Sequence, residues 1–172
     1  MRVVKDRHVV EDAWHLVKDD EPADAHAIVS LARWDTSREE LLAAGTPVGV
    51  VLRSNESPDN VADRDRLSLI AVDFPAFTDG RGYSTARMLR SRLHYKGEIR
   101  AVGDVMRDEM FLMSRCGIDS FAVKPGKDIE KAIDAFEDFS VTYQAAADDE
   151  RPLFRRVHRQ EPRAGERRDQ FR

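Results

Sequence analysis

The stretch Leu67-Ser68-Leu69-Ile70-Ala71-Val72-Asp73-Phe74-Pro75-Ala76-Phe77-Thr78-Asp79-Gly80-Arg81-Gly82-Tyr83-Ser84 carries the clearest strand-to-helix transition in the chain. Residues 67–72 form a near-continuous apolar run, the pattern of a parallel strand covered on both faces. A polar loop with two glycines follows, and then a helix over about 84–95 in which Ala86, Leu89 and Leu93 share one stripe. The alternation recurs downstream, with strands over 99–102 and 118–123 and helices over about 104–116 and 128–139. Gly97 and Gly117 end the first two helices. Upstream, Val48-Gly49-Val50-Val51-Leu52 reads as another buried strand. Thr36-Ser37-Arg38-Glu39 reads as a capping box opening a helix that Gly45 and Pro47 stop. A hairpin or meander over 2–4, 9–10 and 14–17 and a short strand over 27–31 begin the chain. These βα units predict an α/β fold with a mainly parallel sheet flanked by helices, either open and Rossmann-like or curled as part of a barrel. Such sheets place ligands at the carboxyl ends of their strands.

Length and charge set the outer bounds. With 172 residues, the chain suits one α/β domain over 1–150 and a basic tail over 151–172. The net charge of -4 conceals an asymmetry: 20 basic and 29 acidic residues precede position 151, whereas the tail holds 8 Arg and 3 acids. The tail has few apolar residues and no sustained period, so it is expected to be flexible. No apolar stretch reaches the ~20 residues that cross a bilayer, and charges interrupt the N-terminus where a signal would be apolar. One cysteine excludes an internal disulfide scaffold. A cytoplasmic protein is expected, with no membrane partner. Nucleic acid is an unfavoured partner because the body is acidic.

The loop over 73–84 leaves a strand and enters a helix, where free backbone N–H groups attract anions. Gly80 and Gly82 let backbone approach a ligand, and Arg81 offers a planar fork of donors. The other reading is a glycine turn in which Asp79 or Ser84 caps the helix. A dinucleotide fingerprint is rejected, since Thr85 stands where the third glycine belongs. At 100° per residue, Tyr83, Arg87, Arg90 and His94 align opposite the apolar stripe, as a solvated face or an extension of the anion site. Asp104 opens the next helix, as its cap or as an acid/base beside Asp73. Glu109 falls in that helix's apolar arc, where a carboxylate needs a partner. The five histidines show no zinc spacing, so no metal is predicted.

Residues 74–84 (FPAFTDGRGYS), Ala86-Arg87-Met88-Leu89-Arg90, the run 97–105 (GEIRAVGDV) and Arg115-Cys116-Gly117-Ile118-Asp119 resemble a bacterial domain-of-unknown-function family. Its members are described as probable oxidoreductases involved in sulfite reduction. Asp12-Ala13-Trp14, Leu31-Ala32-Arg33-Trp34 and Tyr143-Gln144 extend the likeness over about residues 1–157. Ile118 and Glu109 depart from it, an aromatic residue and glutamine being commoner there. The resemblance implies a place beside the enzymes that carry sulfite to sulfide, with sulfite reductase or a neighbouring enzyme as partner.

No flavin, nicotinamide, haem or iron–sulfur fingerprint accompanies that description, which leaves the cofactor unknown and catalysis open. The leading expectation is an accessory protein of assimilatory sulfite reduction. Its anion site would be built from Gly80, Arg81, Gly82, Tyr83, Ser84, Arg87, Arg90 and Arg100. An alternative is an enzyme using Asp73, Asp79 or Asp104 for proton transfer on an Arg-bound anion. A third is a docking module for sulfite reductase using Phe111 and the basic tail.

Overall fold

The computed structural model describes residues 1–156. Eight strands form one sheet: β1 (Arg2–Lys5), β2 (His8–Glu11), β3 (His15–Leu16), β4 (Ala27–Ser30), β5 (Val48–Leu52), β6 (Leu69–Phe74), β7 (Glu98–Gly103) and β8 (Ser120–Phe121). Their order is β2-β1-β8-β7-β6-β5-β4-β3. From β3 to β8 every neighbouring pair is parallel and follows chain order, whereas β1 pairs antiparallel with both β8 and β2. An order without reversal has no topological switch point, so the open Rossmann-like alternative does not apply.

The first residues show why the sheet curls. β2 and β3 are its two edges, yet only Asp12, Ala13 and Trp14 separate them. Seven strand spacings would put the edges of a flat sheet about 34 Å apart, and the four steps from Glu11 to His15 span at most ~14 Å. The sheet therefore bends until its edges lie within that reach. Of the expected hairpin or meander, the hairpin is present as β1 and β2, and the meander is not, because the next strand joins the far edge, parallel to β4.

Helices α1 (Leu31–Ala43), α2 (Arg81–Arg87), α3 (Arg107–Arg115) and α4 (Ile129–Ala132) follow β4, β6, β7 and β8. Leu31, Trp34, Leu89, Met113 and Phe136 share one buried cluster with Val29, Val50, Ile70, Val72 and Ile99. Helices thus cover one face, as right-handed crossovers of constant direction require. The other face lines the inside of the curl, where Ile28, Leu69, Ala71 and Val102 form a second cluster with Trp14 packed on it.

Several boundaries differ from expectation. α1 starts at Leu31, because the Ser30 side chain caps it by accepting from the Arg33 N–H at 3.1 Å. The Thr36–Glu39 box falls at an interior kink, where Ser37 has φ -122° and ψ 15°. α3 starts at Arg107, so Asp104 lies between β7 and the helix and caps nothing. After α2 the chain passes into a π-helical turn, Met88–Arg92, and leaves it through His94 at φ +53°. A final short helix, α5 (Leu153–Arg156), is tied back by Arg156 to Thr142 and Asp149. The rest of the expected tail, 157–172, lies outside the described residues. No helix among the described residues is long and apolar enough to cross a membrane.

Candidate functional site

Side chains alternate across a strand, so Ser30, Arg53, Asp73 and Val102 all belong to the inner face at the carboxyl ends of β4 to β7. With Gly103 and with Lys18 and Asp19, which follow β3, they line a cleft of about 430 Å³. Its wall is well fixed. Arg33 Nη1 donates to the carbonyls of Lys18 at 2.9 Å and Glu21 at 2.6 Å, and the Ser30 hydroxyl donates to Asp19 Oδ1 at 2.6 Å.

Asp73 is half-buried in this cleft. Burial pushes its pKa above the usual carboxylate range, Arg53 opposes the shift, and Asp79 adds to it. Gly103, at φ +93°, makes room for it: a Cβ there would sit 2.5 Å from the Phe74 carbonyl oxygen and 2.8 Å from Asp73 Oδ1. The Arg53 side chain is exposed and makes no ion pair among the described residues. A free guanidinium next to a carboxyl with raised proton affinity can hold an oxyanion and exchange a proton with it.

The eight expected anion-site residues are not brought together. Arg81 is at the carboxyl rim, but its guanidinium is engaged by Asp79 Oδ1 and Oδ2 at 2.9 and 2.7 Å and by Ser54 Oγ at 3.0 Å. That pair holds the Asp79 carboxyl far below the usual range. Gly80 is the N-cap position of α2. Gly82 serves packing, since an added Cβ would come within 2.6 Å of the Phe74 ring. Tyr83 donates its hydroxyl to Glu109 Oε1 at 3.0 Å, and Ser84 and Arg87 are exposed on the outer side.

Arg90 comes nine residues after Arg81, ~14 Å further along the helix axis. It lies at the amino ends of β7 and β8, donating to the carbonyls of Tyr95, Gly97 and Gly117 and to Asp119. The π-helical turn also breaks the 100° spacing that aligned Arg90 and His94 with Arg87. Arg100 is 1% exposed on the inner face, one layer deeper than Asp73. It pairs with Asp12 at 2.6 and 2.8 Å and with Glu98 at 2.6 Å, and Lys5 meets Glu98 at 2.7 Å. Four of its five N–H groups are engaged inside the fold, and its burial keeps it from a ligand in the cleft.

Of the three candidate acids, only Asp73 opens onto the carboxyl-end cleft. Asp104 pairs with Lys124 at 2.6 Å. Phe111 is half-buried against Phe139, with ring centroids 4.8 Å apart. Arg53, Ser30 and Lys18 escaped the sequence reading. The signal for the first two is simple: each is the first polar residue at the carboxyl end of an apolar strand, as Asp73 is.

No curated protein matches the chain in sequence. A family described as a bacterial protein of unknown function (DUF934) matches residues 49–154, which include Arg53, Asp73, Gly103 and the Arg81 corner. This chain belongs to that bacterial family, DUF934.

Proposed function

We propose that the protein is an accessory protein of assimilatory sulfite reduction that binds a small oxyanion in the carboxyl-end cleft. Arg53 is the anchor and Asp73 the proton-exchanging neighbour. The observation that carries the binding site is the Arg53 guanidinium, unpaired among the described residues, beside a half-buried Asp73 where four adjacent strands end. The pathway rests on the likeness of residues 74–90, 97–105 and 115–119 to proteins described as probable oxidoreductases of sulfite reduction. On this reading Arg81, held by Asp79 and Ser54, shapes the rim next to Arg53. Sulfite reductase, or an enzyme next to it, is the partner.

An enzymatic reading is favoured by one feature, the raised pKa of Asp73, which suits a general acid for a bound oxyanion. Asp79 and Asp104 are poorer candidates, because each is already ion-paired.

Thermal unfolding with graded sulfite, sulfate and phosphate tests the binding site, since a ligand of the native state raises Tm with its concentration. Sulfite is expected to raise Tm of the wild type and not of Arg53→Ala. No shift with any of the three, or an equal shift in the variant, contradicts the proposal. Co-purification with sulfite reductase tests the partner.

A further inference from the structure

A second cleft lies at the opposite end of the sheet, about 630 Å³ in volume, against the amino ends of β7 and β8. Its apolar floor includes Tyr95, Ile118, Phe121 and Phe136. Five described non-glycine residues have positive φ, and three of them, Asp6 (49°), Arg7 (66°) and His94 (53°), line this one cleft. Asp6 and Arg7 form the two-residue turn between the paired Lys5 and His8, where both positions must be left-handed and Asn-Gly is the easy choice. The π-helical turn delivers Arg90 and Ser91 to the same cleft. Left-handed side chains and π turns are both tolerated where they position groups for use.

The charges divide into two sets. Arg90 with Asp119, and Asp148 with Arg115, are spent inside the protein. Positive Arg7 and Lys96 and negative Asp6 and Glu150 remain, none in an ion pair among the described residues. The Arg7 guanidinium stands 5.5 Å over the Phe136 ring, at the junction of floor and rim.

We infer that this cleft binds a zwitterion with an apolar body, the chemistry of an apolar α-amino acid or dipeptide. The body lies on the aromatic floor, the carboxylate meets Arg7 and Lys96, and the ammonium meets Asp6 and Glu150. A ligand with one charge leaves one set of rim groups without a partner, which is the basis of selection. The site is separate from the carboxyl-end cleft and does not depend on it.

Titration of the full-length, 15N-labelled protein with L-phenylalanine, phenethylamine and 3-phenylpropionate tests the inference. Phenylalanine is expected to move amide signals of Arg7, His94 and Gly117. Each single-charge analogue should bind at least about tenfold more weakly, a difference of ~1.4 kcal/mol. Arg7→Ala and Glu150→Gln, both at exposed positions, should each weaken phenylalanine by a similar factor while leaving the remaining spectrum folded. No response to phenylalanine, a response centred on Arg53 and Asp73, or equal binding of either analogue overturns it.

Discussion

The guanidinium of Arg100 meets the carboxylate of Asp12 at two points inside the curl of the sheet, across 88 residues of sequence. Their side chains are 2% and 5% exposed, so the pair joins the segment between the two sheet edges to the central strand β7. Removing one partner of such a pair strands a buried charge, at a cost of about 3–5 kcal/mol. Asp12→Ala should fall near the lower end, since Glu98 still holds Arg100. Urea unfolding measures it. Arg100→Met combined with Asp12→Leu should be less destabilised than Asp12→Ala, because Glu98 keeps Lys5 and no lone charge is left in the interior.

Gly82 decides between packing and ligand approach at the glycine corner. An alanine Cβ there overlaps the Phe74 ring. Gly82→Ala should cost about 1–3 kcal/mol, the usual range for overpacking. It should leave oxyanion affinity unchanged. A stable variant that loses affinity would move the ligand back to the corner.

Glu109 gives a pH signature. It is 8% exposed, receives the Tyr83 hydroxyl on Oε1, and keeps Oε2 buried without a partner among the described residues. Burial raises its pKa, the Tyr83 hydrogen bond opposes this, and the charge of Asp108 adds to it. A carboxyl with a raised folded pKa stabilises the protein below its unfolded value, and that contribution is lost as pH rises through the folded value. Glu109→Gln removes the titration. Its stability relative to the wild type should therefore increase from pH 5 to pH 8, read from urea midpoints at both. An unchanged difference contradicts the assignment.

How far the sequence speaks can be followed residue by residue. Val48–Leu52 is read correctly to the residue because five consecutive apolar positions leave no other choice. Leu67 is buried but precedes its strand, since apolar runs report burial and not hydrogen bonding. Ser30 falls within the strand expected over 27–31 and is also the cap of the following helix, two roles that periodicity cannot separate. The π-helical turn, invisible to a 100° wheel, carries Arg90 away from Arg87.

The candidate site was legible to the extent that strand ends were. Asp73 at the carboxyl end of β6 follows from the run before it, and the same rule applied to β5 reaches Arg53. Arg100 shows where such reading stops. Its neighbours in sequence say it is on a strand, but its partner Asp12 is supplied by the path of the chain across the curl. Which arginine is free and which is spent depends on those distant pairings, and so does the location of any anion site.

Calorimetric titration of sulfite into the wild type, Arg53→Ala and Arg81→Ala tests the central claim most directly. The carboxyl-end cleft predicts that Arg53→Ala weakens binding at least about tenfold, ~1.4 kcal/mol, while Arg81→Ala, whose guanidinium is already held by Asp79, changes it little. The reverse ranking, or undiminished binding in Arg53→Ala, would contradict the account.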